Sequence, residues 1–184
     1  MRQPGLPDAT GWHFKREQRK VAIRMGAALC ISLAALTLAS VLGGQGSVQP
    51  FPTRLDATLK ADVWVVGWLA ATIANVARLR FFSEQDIAGA GQTGGSDRVR
   101  QAGAIAQNTL EQVVLAIATH AIVTATIARS QAMVLTMVAL FVVGRVLFWS
   151  GYKRGASGRA LGFALTFYPS VLGLLASGAA LLLG

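Results

Sequence analysis

An all-α, polytopic membrane bundle is the fold class this sequence predicts, and three observations predict it. Of 184 residues, 53% are hydrophobic and only 14% charged, with a mean hydropathy of +0.51, a balance far from that of soluble domains. Five apolar runs are long enough, as helices, to cross a hydrocarbon core of about 30 Å, which takes about 20 residues. Basic residues are alternately many and few between those runs, the pattern of a chain threaded back and forth through a bilayer.

The first run, 21–42, follows a basic segment over 1–20. Its apolar stretch is too long for a usual signal peptide and lacks a small-residue cleavage site, so it reads as an uncleaved anchor. The second run, 59–77, rests on "VWVVGWLAATIANVA". It is short, but Trp64 and Trp68 are placed to anchor one end in the interface while charged neighbours snorkel. "AGAGQTGGSD" then reads as a flexible, Gly-rich cytoplasmic loop. The third and fourth runs, 105–127 and 132–148, are joined by a short turn near Arg129, which makes them antiparallel neighbours. The last run, 160–183, contains Pro169, expected to kink it. The chain thus divides into a basic N-terminal segment (1–20), an extra anchor helix with its outer loop (21–50) and a four-helix membrane domain (55–184).

Orientation follows from the bases. Arg2, Lys15, Arg16, Arg19, Lys20 and Arg24 precede the first run; Arg54 and Lys60 follow it. Arg78, Arg80, Arg98 and Arg100 lie between the second and third, Arg129 alone between the third and fourth, and Lys153, Arg154 and Arg159 between the fourth and fifth. By the positive-inside rule the N-terminus is cytoplasmic and the C-terminus outside. The Ala- and Gly-rich composition points to a bacterial inner membrane.

Several function classes fall away. The net charge of +9 comes from short clusters between apolar runs, and no nucleic-acid module accompanies it, so no nucleic-acid partner is expected. Cys30 is the only cysteine, which excludes an intrachain disulfide. With His13 and His120 in different segments, no metal site is expected. No internal repeat supports a transporter built of paired halves.

The informative stretch is "AIAQNTLEQVVLAIATHAIV", which places polar side chains where a membrane holds hydrocarbon. Arg100, Ala104, Gln107, Asn108 and Glu111 fall on one helix face. An ionisable group inside a span costs about 2.5 kcal/mol or more, so Glu111 needs a partner or a ligand. Arg145, Trp149 and Tyr152 form a matching face on the fourth run. Glu111 and Arg145, at compatible depths, are therefore expected to form a buried ion pair. Asn108, Tyr152 and the nearby bases would line a pocket for an anionic, peptide-like ligand whose carboxylates suit arginine. His120, on another face, reads as a packing histidine.

"NTLE" on the third run and "VGRVLFWSGYKRGASGRALGF" across the loop between the fourth and fifth, in that order, resemble the MAPEG family, the membrane-associated proteins in eicosanoid and glutathione metabolism. The likeness extends from about Val63 to the C-terminus. It implies a four-helix subunit, a homotrimer in the lipid bilayer, and glutathione as co-substrate between subunits near the cytoplasmic face. By position, Asn108, Glu111, Arg145 and Tyr152 match the family's polar residues on its second and third helices. Arg159 matches the arginine that stabilises the glutathione thiolate, and Arg78 resembles a glutathione-contacting arginine on the first helix. Gln107 stands where the family has a basic position beside the asparagine. Other departures are Ala104 in place of an arginine, and Ala160 and Phe163 where some catalytic members carry hydroxyls. The first run has no counterpart and is expected to pack outside the core.

The resemblance therefore implies a glutathione-dependent transferase or peroxidase acting on an apolar small molecule, with Arg159 catalytic and Arg78, Gln107, Asn108, Glu111, Arg145 and Tyr152 binding glutathione. The alternative is a non-catalytic protein on the same scaffold, whose buried polar residues serve helix packing and assembly.

Overall fold

The computed structural model describes residues 9–45, 47–89 and 95–183, with side chains from Trp12 onward. Within them every regular element is helical: α1 (Ala9–Gly43), α2 (Phe51–Phe81), α3 (Asp97–Thr126), α4 (Gln131–Gly151) and α5 (Gly155–Leu183), with one 3-10 turn at Tyr152–Arg154. Each expected apolar run lies on its own helix, and each helix outruns its apolar part. α1 continues back through "FKREQRK" because Lys, Arg, Glu and Gln are good helix formers in water as well as in lipid. Residues 9–20 of the N-terminal segment and 21–43 of the anchor segment therefore form a single helix, while residues 1–8 and the loop residues 90–94 lie outside the described part.

Among the described residues, four helical stretches are long and apolar enough to cross a membrane: Trp12–Gly43, Phe51–Phe81, Asp97–Thr126 and Gln131–Leu183. The last is α4 and α5 together, doubled back on itself. Gly155 makes that reversal with φ +79°, a left-handed conformation that a side chain disfavours. Antiparallel pairing then brings Gly144 against Gly162 and Gly151 against Gly158, backbone to backbone. α5 continues through Pro169 without ending there.

α1 packs on α4 and α5, α2 on α3 and α4, and α3 on α5. The main core, Val65, Val113, Met137, Val138 and Phe141 among others, lies between α2, α3 and α4. A smaller one joins Ala28 of α1 to Ala164 and Leu165 of α5. Outward-facing side chains such as Leu38, Val63, Val114 and Leu175 are exposed and apolar, as suits a lipid-facing surface.

Two polar features organise the α2–α3 pair. At its α3 C-terminal end, Arg54 Nη1 donates to the Thr124 and Ile127 carbonyls at 2.7 and 2.5 Å, capping groups that the helix end leaves without partners. One turn further in, Thr58 and Thr124 share a hydroxyl hydrogen bond of 2.8 Å, and His120 Nδ1 meets Asp62 Oδ1 at 2.6 Å. Asp62 is 5% exposed and His120 1%. Asp62 thus does not snorkel as a charge in this run was expected to do, because the buried imidazole gives it a partner inside. Trp68 meets Trp149 edge-on, with ring centroids 6.0 Å apart. Asp62→Ala is expected to lower stability by about 1–3 kcal/mol, since it strands a buried ring nitrogen. A thermal midpoint in detergent checks this: no additional loss should appear when His120→Leu is added, and fully additive losses would contradict the pairing.

At the opposite end, the Ser83 hydroxyl and the Ser96 N–H both donate to Asp86, closing the loop between α2 and α3 at 2.7 Å each. These bonds, that of Ser83 foremost, hold the Asp86 carboxyl below its usual range.

Candidate functional site

The polar face of α3 meets α4 and α5 at Arg145. This side chain, 1% exposed, donates from Nη1 to Asn108 Oδ1 at 3.0 Å and from Nη2 to Thr166 Oγ1 at 2.8 Å. The Thr166 hydroxyl in turn lies 3.1 Å from Gln112 Oε1. The guanidinium stands 4.5 Å from the Phe148 ring centre and 5.8 Å from that of Phe141, so aromatic faces replace part of its lost hydration. Gly144 and Gly162 permit this arrangement, because only their missing Cβ atoms let α5 bring Thr166 up to α4.

The expected Glu111–Arg145 ion pair does not form within the chain. Glu111 lies on the exposed side of α3, where its Oε1 accepts from Gln107 Nε2 at 3.2 Å. Equal depth makes such a pair possible, but rotation about the helix axis decides it. Asn108 and Gln112 face α4 and α5, whereas Glu111 faces away.

Above Arg145, toward the α4–α5 turn, an open groove of about 360 Å³ holds Asn108, Tyr152 and Arg159. The Arg159 guanidinium lies 4.7 Å from the centre of the Tyr152 ring, and that ring packs edge-on against Phe148 at 5.5 Å. Among the described residues no carboxylate forms an ion pair with Arg159. A cation held by an aromatic face keeps its charge and its N–H donors for an incoming anion. Asn108 Oδ1 is occupied by Arg145, which leaves its amide nitrogen free to donate into the groove. Ala104, Ala160 and Phe163 also line the groove and make the rest of its wall apolar.

The remaining expected site residues sit elsewhere on the single chain. Arg78 is exposed near the end of α2, where it donates to Asn75 Oδ1 at 3.2 Å and lines a separate recess with Asp86, Ser96 and Arg98. Gln107 lines a third recess, between α2 and α3, with Arg80. The structure therefore brings Asn108, Tyr152 and Arg159 together over Arg145, and leaves Arg78 and the Gln107–Glu111 pair on other surfaces.

Sequence reasoning missed four contributors. Thr166 accepts from Arg145 and passes the network on to Gln112; Thr166 sits two turns beyond Arg159 on α5, a spacing that places both on one face. Val21 and Met25 of α1 also line the groove, so α1 does not simply pack outside the core as expected. Among the described residues no cluster of His, Cys, Asp and Glu is suited to a metal.

The model of the MAPEG family matches residues 59–179, from within α2 almost to the end of α5. No curated protein and no solved structure matches the chain.

Proposed function

This chain belongs to the MAPEG family, and from that premise we propose that it is an integral membrane enzyme transferring glutathione to an apolar electrophile, or using it to reduce an apolar hydroperoxide. The observation that carries this reading is Arg159, a cation held over Tyr152 with no acidic partner among the described residues, at the polar end of an otherwise apolar groove. A free thiol is mostly protonated near neutrality; a guanidinium beside it favours the thiolate, which is the nucleophile. In the transfer, sulfur bonds to the electrophilic carbon as the carbon's bond to its leaving group breaks, and the leaving group departs with the electron pair. Asn108 and Tyr152 would hold the peptide part of glutathione. Arg145 acts one layer below, fixing the Asn108 amide from behind.

In this reading all five helices cross the membrane, with the N-terminus and the α4–α5 turn on the cytoplasmic side, and three chains assemble. The exposed face of α3 supports self-association. Ala104, Gln107, Glu111, Val114, Ala118, Ala121 and Ala125 are exposed or partly so at alternating spacings of three and four, the seam along which parallel helices pack. Small side chains there allow close approach, and Glu111 facing lipid alone would be costly. Assembly along this seam also supplies a neighbour's Arg78, Gln107 or Glu111 to a groove that lacks them in its own chain.

A second reading has its own support. Asn108, Arg145, Gln112 and Thr166 hydrogen-bond one another within the chain, and although Arg145 Nε has no partner there, such a network suits a non-catalytic MAPEG protein whose polar residues serve packing. Thermal stability in detergent separates the two. A ligand at about 100 times its dissociation constant stabilises the native state by about 2.7 kcal/mol. Millimolar glutathione should raise the transition, free amino acids should not, and Asn108→Ala should weaken the effect. No shift at any tolerated concentration favours the packing role.

A further inference from the structure

We propose that α1, which lies outside the residues matched to the family, is a wall of the groove, and that Met25, with Val21, sets the size of the apolar group accepted there. This inference rests on the reading of the groove as a glutathione-dependent site. One stripe of α1, comprising Glu17, Val21, Met25, Ala28, Ser32, Leu36 and Ala39, is partly or fully buried, at the spacings of three and four that define a single helix face. Ala28 and Leu36 seat that face in the two cores of the bundle.

At the groove end the attachment is polar and specific. Glu17 Oε1 accepts the Ser157 N–H at 2.9 Å, and Arg24 Nη1 donates to the Ser157 carbonyl. Ser157 lies in the first turn of α5, whose N–H groups have no partner within the helix, so Glu17 acts as a cap supplied from another helix. The same turn carries Arg159. Both ends of one peptide residue are thus held by α1, one turn to either side of Val21, and the placement of Val21 and Met25 relative to Arg159 is fixed rather than left to a sliding lipid-facing helix.

Val21 and Met25 line the groove together with the α3 residue Ala104 and with Phe163. None of these side chains offers a hydrogen bond, so what they recognise is the size of a hydrocarbon group. Met, unbranched and flexible, adapts to occupants of different shape. The class implied is an electrophile bearing an alkyl chain that extends from the reacting atom, near Arg159, along α1.

The test uses S-methyl-, S-butyl-, S-hexyl- and S-octylglutathione as probes on the full chain in detergent, with affinity read from thermal shifts over a concentration series. In Met25→Trp the S-hexyl and S-octyl conjugates should bind about tenfold more weakly, while glutathione and the S-methyl conjugate keep their affinity. Met25→Ala should shift the preference toward longer chains. Val21→Phe gives a second, independent obstruction with the same expected pattern. Chain-length dependence unchanged in all three variants, with glutathione still binding, overturns the role of α1 alone. Absence of any response of the parent chain to glutathione or its conjugates overturns the reading of the groove, and the inference with it.

Discussion

Gly162→Ala should yield a chain that fails to form the α4–α5 hairpin and is recovered as aggregated or strongly destabilised protein. A Cβ at this position would lie 2.3 Å from the Phe148 backbone nitrogen, 2.5 Å from the Gly144 carbonyl oxygen and 2.7 Å from Phe148 Cα. All three are backbone atoms, so no rotamer change relieves the overlap and the helices must separate. Overpacking a well-filled interior costs about 1–3 kcal/mol when side chains can yield, and here they are not what is struck. Separation also draws Thr166 away from Arg145 and displaces Arg159 from Tyr152, so loss of fold and loss of site should coincide. Gly67→Ala is the control. Nothing lies within 4 Å of its Cβ, and the substitution should be neutral or stabilising by up to about 1 kcal/mol through helix propensity. Monodispersity and thermal midpoint in detergent report both, and equal midpoints for the two variants would contradict the close approach of α4 and α5.

The second large effect is on chemistry. Arg159→Ala should reduce glutathione turnover of chlorodinitrobenzene about 100-fold or more, the scale of removing one preorganised group that stabilises developing or reacting charge. The thermal midpoint and the oligomeric state should hardly change, because among the described residues the guanidinium rests on the face of Tyr152 and forms no ion pair. The sign of the pH dependence is specific. A nearby cation lowers the pKa of the glutathione thiol, so the parent rate should rise with pH through a midpoint below the ordinary thiol value of about 8.5. In Arg159→Ala that midpoint should move up toward the ordinary value, and raising the pH should restore part of the rate. Arg159→Lys, which keeps a charge but not the planar fork, should fall between the two. Unchanged turnover in Arg159→Ala would remove this residue from the reaction.

Some of this was legible because it depends only on near neighbours in the chain. The five apolar runs announce helices through length and hydropathy, and a 3.6-residue period is enough to place Ala104, Gln107, Asn108 and Glu111 within one arc of α3. The order of "NTLE" and "GYKRGASGR" along those runs was likewise enough to point to the family. Arg145 illustrates the limit. Its burial and its polar neighbourhood were foreseeable, yet its partners are Asn108 and Thr166 rather than Glu111. Charge suggested the wrong residue, because an arc of α3 about 100° wide contains both and only one edge of it faces α4. Asp62 and His120 show the same limit: on two separate helices each is an isolated titratable residue, and only their juxtaposition makes them a pair.

The sequence by itself therefore determined the class of molecule, the apolar run within each helix, and the stretch of chain in which polar side chains would matter. Tertiary structure alone decided which of those side chains meet. The Gly144–Gly162 and Gly151–Gly158 approaches set the register of α4 against α5, and that register selects Thr166 as the partner of Arg145. The Glu17 and Arg24 contacts to Ser157 turn α1 from an outlying anchor into part of the groove. Helix formation is decided by propensity and local burial, within a few turns of chain. The rotation and register of one helix against another are decided by backbone contacts between residues far apart in sequence, where a missing Cβ or a single capping carboxylate outweighs the local pattern.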